Sequence, residues 1–119
     1  MAIPESDGGG LRFRLHFQKR GAIDDGFGNE VAGPYATVFT QRAKMIARMG
    51  TETVMASRLQ GVQPYTVRIR YSAQAAAVTA DWRIVDARND RVFAIKAPPV
   101  NVDGENRWIE ILAAEGEPN

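Results

Sequence analysis

The stretch PYTVRIRYSA, residues 64 to 73, decides the fold, because apolar and polar side chains alternate along it. Arginines also alternate with apolar residues at the start of LRFRLHFQKR, residues 11 to 20. Successive side chains of a β-strand point to opposite faces of the sheet, so a period of two predicts strands that are buried on one side. We predict these two strands at residues 65 to 71 and 11 to 18.

The apolar face of each strand determines which side turns inward. Burying one large apolar side chain stabilises a fold by roughly 1.5–3 kcal/mol, so the apolar faces point to the core and the arginines face outward. The predicted core therefore includes Phe13, Phe17, Ile69 and Tyr71. A groove for single-stranded nucleic acid would interleave exposed aromatic residues with the cations, whereas these aromatics lie on the opposite face.

The rest of the chain predicts four more strands. Residues 35 to 47 are predicted as a long strand, although Ala43, Ile46 and Ala47 also satisfy a helical stripe. The other three strands are predicted at residues 82 to 86, 91 to 96 and 107 to 113. The sum is a mainly β fold, a small antiparallel β-barrel or sandwich of about six strands with one short inserted helix.

That helix is predicted within GTETVMASRLQG, residues 50 to 61. Thr51 is a candidate N-cap, Glu52 in the first turn favours the helix dipole, and Gly61 is a C-terminal stop. The predicted apolar stripe of the helix consists of Val54, Met55 and Leu59.

The remaining segments are predicted as connections and ends. Residues 21 to 33, GAIDDGFGNEVAG, are rich in turn-forming residues and are predicted as a loop or hairpin. Residues 72 to 80 form a connector of small residues with little pattern. We expect a flexible lead at residues 1 to 10, one domain at 11 to 113 and a flexible tail at 114 to 119.

Composition limits the possible functions. The chain has 119 residues, enough for one domain, and 15 basic against 14 acidic side chains give a net charge of +1. Duplex-DNA binders usually carry a strong basic excess, so proteins are the expected partners. The chain has no cysteine, which excludes disulfides and thiolate–zinc sites, and no apolar run approaches the ~20 residues of a membrane span.

Catalytic residues are not evident. The single histidine, His16, falls on the polar face of the first strand. The acids Asp24, Asp25, Asp86, Asp90 and Asp103 fall at predicted turns, where Asp hydrogen-bonds the backbone. No phosphate-binding glycine motif precedes a helix. We therefore expect no enzyme activity, no metal site and no cofactor.

The order of several motifs is similar to one known family. In sequence order they are LRFRLHFQKR, DDGFGNE, YATVFTQRA, GTETVMASRLQG, YTVRIRY, RIVDARNDRVFAIK and RWIEILA. Over residues 11 to 113 the chain resembles the phage head–tail joining proteins, also called head-tail adaptor, head-closure or stopper proteins, which include prophage and gene transfer agent members. The resemblance is one of structural patterns, and none of the motifs is a catalytic signature.

The resemblance implies a small β-barrel whose copies form a ring below the portal or adaptor of a DNA-filled capsid. The ring would close the head, let DNA pass without sequence-specific binding and offer a docking surface to a tail-terminator or tail protein. The protein would be located at the head–tail interface of a virion or phage-like particle, and would be assembled in the bacterial host cytoplasm without a membrane.

Exposure and charge indicate candidate contact residues, which are Arg42, Lys44, Arg48, Arg58, Arg68 and Arg70. Two other functions stay open. One is a tail-terminator or tail-completion ring, which has a similar structural role one layer lower. The other is a small OB-like barrel that binds single-stranded nucleic acid.

Overall fold

The computed structural model describes residues 10 to 116, and within that range it contains seven strands and two short helices. The predicted lead at residues 1 to 10 lies, except for Gly10, outside the described residues, as do residues 117 to 119 of the predicted tail. The strands are β1 (Phe13–Asp24), β2 (Glu30–Ala47), β3 (Gln63–Arg70), β4 (Arg83–Asp86), β5 (Val92–Ile95), β6 (Val100–Val102) and β7 (Trp108–Glu115). The helices are α1 (Glu52–Leu59) and α2 (Ala73–Ala76).

The strands form one antiparallel sheet in the order β3-β2-β1-β4-β5-β7-β6. β3 also pairs with β7, so six of the strands close into a barrel-like ring. β5 and β6 share one edge of β7, where β5 pairs with its C-terminal end and β6 with its N-terminal end. Closure leaves few unpaired edges on the ring. The predicted mainly β, antiparallel fold class is confirmed.

The core fills the inside of this ring. Phe17 and Phe39 stack with their ring centroids 4.6 Å apart, and Trp82 meets Phe39 edge-on at 6.1 Å. Of the predicted core residues, Phe17 and Ile69 are fully buried, and Phe13 is partly buried against the core. The alternation therefore predicted the inward faces of β1 and β3 correctly.

Tyr71, the fourth predicted core residue, is 36 % exposed, so that prediction is wrong. β3 ends at Arg70, and Ser72 already caps α2 by accepting a hydrogen bond from the Ala75 N–H at 3.0 Å. Because the chain leaves the sheet at this point, the period of two no longer sets the direction of Tyr71. The connector at residues 72 to 80 thus contains a one-turn helix that the sequence pattern did not predict.

The first two strands are much longer than predicted. Of the segment 21 to 33, most residues belong to β1, which continues to Asp24, or to β2, which begins at Glu30. β2 also continues to Ala47, which confirms the strand rather than the helical alternative for residues 43 to 47. The short strand β6 lies in a segment for which no strand was predicted.

Helix α1 begins where the sequence predicts. The Thr51 hydroxyl accepts a hydrogen bond from the Val54 N–H at 3.1 Å and caps the helix. The predicted apolar stripe is not buried, however, since Leu59 is 86 % exposed and Met55 is also exposed. Only Val54 of the three is partly covered, because the helix lies outside the ring against β3 and not in the core.

Candidate assembly surfaces

The described residues offer little for catalysis. Within residues 10 to 116, no three His, Cys, Asp or Glu side chains are grouped so that they could hold a metal ion. His16 Nδ1 lies 2.7 Å from the Thr40 hydroxyl, so the imidazole of His16 on β1 is hydrogen-bonded to the neighbouring strand β2. No helix in the same range is long and apolar enough to cross a membrane. The described residues also form three exposed surfaces that could contact other proteins.

The most prominent of these is a two-stranded arm, which we define as residues 19 to 33. β1 pairs with β4 only up to Gln18, and β2 pairs with β3 only from Ala43 onward. Beyond those points β1 and β2 pair with each other alone. The six steps from Gln18 to Asp24 span roughly 20 Å at about 3.4 Å per residue. Every side chain from residue 19 to residue 32 is exposed.

The turn at the end of the arm is held in one conformation by its own hydrogen bonds. Asp25 Oδ1 accepts from the Phe27 N–H at 2.8 Å and from the Asn29 N–H at 3.3 Å. The hydrogen bond from Phe27 is the main cause that lowers the pKa of Asp25 below its ordinary value. Gly26 and Gly28 have φ values of 87° and 82°, which side chains other than glycine rarely adopt. The turn is therefore built around Phe27.

The tip of the arm is apolar. Phe27 is 87 % exposed, and Ile23 and Val31, which face each other across the two strands, are also exposed. The charged residues of segment 21 to 33 are all acidic, namely Asp24, Asp25 and Glu30. An isolated two-stranded ribbon is only marginally stable in water, and exposed apolar groups on it are typical of a contact surface.

The base of the arm is fixed to the ring by stacked cations. The guanidinium of Arg83 lies 4.1 Å from the centre of the Tyr35 ring, and that of Arg20 lies 5.1 Å from it. Arg83 Nε also donates a hydrogen bond to Gln18 Oε1 at 2.7 Å. These contacts join β4 to both strands of the arm and set the direction in which the arm leaves the ring.

A groove of about 590 Å³ lies at the other end of β2. It runs between α1, the start of β3, the middle of β7 and the connection that follows β5. Its apolar lining includes Val54, Val62, Pro64, Pro98 and Leu112. Pockets of this size bury ligands of several hundred daltons, so the groove could take a few side chains of a partner.

The charged groups around the groove are mainly cationic. Arg48 and Lys96 line it, and Glu110 is the acid among its lining residues. Glu110 is paired with Arg68, whose Nε donates to its Oε2 at 2.8 Å. Arg48 is held in place because its guanidinium donates to the Thr66 hydroxyl at 3.1 Å. The groove therefore presents an apolar floor with a positive rim.

A third surface is formed by four arginines, Arg12, Arg14, Arg42 and Arg88, around a depression of about 290 Å³. We call it the arginine face. Arg14 and Arg42 are direct cross-strand partners on β1 and β2, and like charges in that position destabilise a sheet. Arg88 stacks on Phe13 at 5.0 Å and lies 3.6 Å from the buried carboxylate of Asp86. No other ion pair within residues 10 to 116 neutralises this face.

The structure does not bring the six predicted contact residues onto one surface. Arg42 belongs to the arginine face, Arg48 lines the groove, and Arg58 is exposed on α1. Arg70 stacks on Trp108 at 5.2 Å. Lys44 and Arg68 are partly buried, and Arg68 was predicted to face outward without its cross-strand partner. Their role in contacts stays a prediction.

Sequence reasoning missed the tip of the arm. The segment 21 to 33 was interpreted through its turn formers, while Ile23, Phe27 and Val31 were not considered as contact residues. A signal was present, because three large apolar side chains stand among glycines and acids in a segment too short to bury them. Arg88 was also missed, since only the β4–β5 turn brings it to the arginine face.

Comparisons with known proteins identify one family, and the similar solved structures include the two described below. A family model described as phage head completion protein matches residues 7 to 116. A chain in the virion of a native gene transfer agent particle has a TM-score of 0.61 at 20 % identity, with 88 % of this chain and 94 % of that chain covered. Protein SF1141 from Shigella flexneri 2a has a TM-score of 0.67 at 23 % identity, with 93 % of this chain and 97 % of that chain covered. No curated protein matches the sequence. At these identities, the two structures show the fold alone.

Proposed function

The chain belongs to the phage head completion protein family, and from this membership we propose that it is the subunit of a connector ring. The ring closes the DNA-filled head below the portal or adaptor and provides the docking surface for the tail of a phage or phage-like particle. The subunit acts by binding other proteins and performs no chemistry of its own.

The observation that carries this proposal is that the arm and the groove are two different surfaces at opposite ends of β2. A subunit in a cyclic ring contacts each of its two neighbours through a different patch, and the ring closes when the rotation between subunits divides a full turn. A subunit with one projecting element and one receiving surface suits such a head-to-tail contact.

The arginine face suits a different partner, above or below the ring. Four arginines around one depression, with Arg14 directly opposite Arg42, cost stability unless an anionic group covers them. Planar guanidinium groups bind carboxylates bidentately. We assign this face to an acidic segment of the portal, adaptor or tail protein.

The charge of the whole chain suits a ring through which DNA moves. Its net charge is +1, so the subunit as a whole lacks the basic excess that holds phosphates by counterion release. A channel that gripped DNA strongly would oppose both packaging and ejection. This supports a connector over an OB-like nucleic-acid-binding barrel.

The location of the protein in separated particle parts tests the proposal. Filled heads and free tails are separated by sedimentation and probed with an antibody against this chain. We expect the protein on filled heads. Its presence on tails alone would favour the second candidate, a tail-terminator ring, and its absence from both would refute a connector role. Salt-dependent binding of a single-stranded oligonucleotide by the purified protein would instead favour the OB-like function.

A further inference from the structure

We propose that the tip of the arm of one copy, formed by Ile23, Phe27 and Val31, binds in the groove of the next copy. The partner at both surfaces is thus a second copy of this chain. The inference rests on the proposed function only in that both copies would belong to one ring; the contact itself can form between any two copies.

The exposed apolar side chains at the tip of the arm favour burial against a partner. Phe27 is 87 % exposed at the end of a ribbon whose two outer edges pair with no other strand of the described residues. The turn is nevertheless ordered by hydrogen bonds to Asp25. An ordered, exposed apolar tip loses little conformational freedom on binding, which favours a contact role over a merely tolerated exposure.

The shapes of the two surfaces match. Phe27 stands between Gly26 and Gly28, so its ring projects from the turn without a neighbouring side chain on either flank. The groove, at about 590 Å³, is lined mostly by apolar side chains, with Val54 on one wall and Leu112 on another. A single projecting aromatic ring with flanking aliphatic groups is the kind of anchor that fills such a groove.

The charges of the two surfaces are also complementary. The distal arm carries three acids and no base, since Asp24, Asp25 and Glu30 are the charged residues of segment 21 to 33. Arg48 and Lys96 are the basic residues that line the groove, and Glu110, which pairs with Arg68, is its acidic residue. The acidic tip therefore favours a cationic partner surface, and the cations of the groove favour an acidic partner. Complementary potentials of this kind determine the register of a contact.

The two surfaces cannot meet within one chain. β2 runs from Glu30 at the arm to Ala47, and Arg48 at the groove follows directly. Seventeen steps along a strand span roughly 55 Å at about 3.3 Å per residue. The base of the arm is fixed against Tyr35, so the tip cannot fold back over that distance. The groove must therefore take the tip of another copy, in a head-to-tail contact.

Disulfide trapping tests this contact, and the absence of native cysteine makes the test clean. The double variant Asn29→Cys and Thr53→Cys keeps the Phe27 ring and places one thiol in the exposed turn beside it and one at the groove, where Thr53 lines the wall on α1. Because each copy then carries both halves of the contact, oxidation should give a ladder of covalent multimers. The circular dichroism spectrum and melting temperature of each variant check that it folds.

Two controls separate the proposed contact from random collision. The pair Asn29→Cys with Leu59→Cys moves the second thiol to an exposed position on α1 that does not line the groove. The single variants can give dimers at most. We expect the ladder yield of the groove pair to exceed that of the control pair about tenfold or more. Equal yields, or a higher yield with Leu59→Cys, would overturn the inference.

The experiment is carried out on concentrated purified protein and on particles, so that the two proposals fail separately. Protein on filled heads without a ladder in either setting refutes the tip-to-groove contact and leaves the connector function standing. A ladder in solution from a protein that is absent from particles supports the contact and refutes the connector function. A ladder in both settings supports both.

Discussion

The arm and one part of the six-stranded ring are built from the same two strands, β1 and β2, yet the two regions differ in burial and in strand pairing. Along β1, Leu15 and Phe17 are fully buried in the ring, whereas every side chain from residue 19 onward is exposed. Up to Gln18 the strand has a neighbour on both edges, and beyond it the strand has one. The difference shows that a strand is stabilised by the burial of its side chains and by pairing on both edges. The ring therefore supplies most of the free energy of unfolding, and the exposed arm is available for contacts.

The largest expected effect comes from truncating one phenylalanine in each region. Phe17→Ala should lower the free energy of unfolding by about 3–5 kcal/mol, because it leaves a cavity next to the stacked Phe39 ring. Phe27→Ala should change the free energy of unfolding by less than about 0.5 kcal/mol but should reduce particle assembly. Urea denaturation measures the first quantity and particle yield the second. Equal loss of stability in both variants would show that the two regions are not separate.

A smaller effect is expected where the arm joins the ring. A side chain at Gly33 would place its Cβ 3.0 Å from Ile23 Cγ2 and 3.1 Å from the Gly21 carbonyl oxygen. Gly33→Ala should therefore cost about 1–3 kcal/mol and speed amide exchange in the arm. Gly21→Ala is the control, because its Cβ would meet nothing within 4 Å. Slow exchange in the Gly33→Ala arm would contradict the close packing.

The third effect is a pH dependence of the free energy of unfolding, which should arise from the ring and not from the arm. Arg91 Nε donates to Glu115 Oε2 at 2.7 Å between β5 and β7, which lowers the pKa of Glu115 below its ordinary value of about 4.5. A lowered folded-state pKa contributes stability above pH 4.5 that is lost as the pH falls through the folded value. Glu115→Gln should therefore reduce the loss of stability in acid.

The matched variant in the arm is Asp25→Asn. The pKa of Asp25 is also lowered, mainly by the Phe27 N–H, but the carboxylate holds only the exposed turn. This variant should leave the pH dependence of global unfolding unchanged while amide exchange at the turn increases. Thermal melts between pH 3 and pH 6 compare the two variants. The comparison fails if Asp25→Asn changes the acid transition as much as Glu115→Gln does.

The smallest expected effect has the opposite sign and lies on the wall of the ring. Arg42→Gln removes one of two cations that face each other across β1 and β2, so it should stabilise the isolated protein by about 0.2–0.5 kcal/mol. The gain should shrink at high salt, which screens exposed charges. Arg42→Gln should also weaken particle assembly if an acidic partner binds the arginine face. A loss of stability at low salt would mean that the pair is not repulsive.

Much of the ring was predictable from the sequence because the order of neighbouring residues determines which face of a strand is buried. The period of two placed Phe17 and Ile69 inside, and the cap at Thr51 located the start of α1. Tyr71 was predicted wrongly because the end of a strand depends on where its partner strand ends. The candidate contact surfaces were less predictable, since no local pattern shows that the core forms without Phe27 or without Leu59, which was placed in the apolar stripe of the helix.

The sequence by itself determined the fold class, the inward face of each long strand and the near-neutral charge, because each of these follows from neighbouring residues or from a count. Only the tertiary structure decided that Arg68 meets Glu110, that Arg14 and Arg88 share one face, and that the arm and the groove lie at opposite ends of β2. The physical reason is strand register. A local pattern determines which face of a strand is buried, and only the pairing of strands in the closed ring determines which distant residues lie next to that strand.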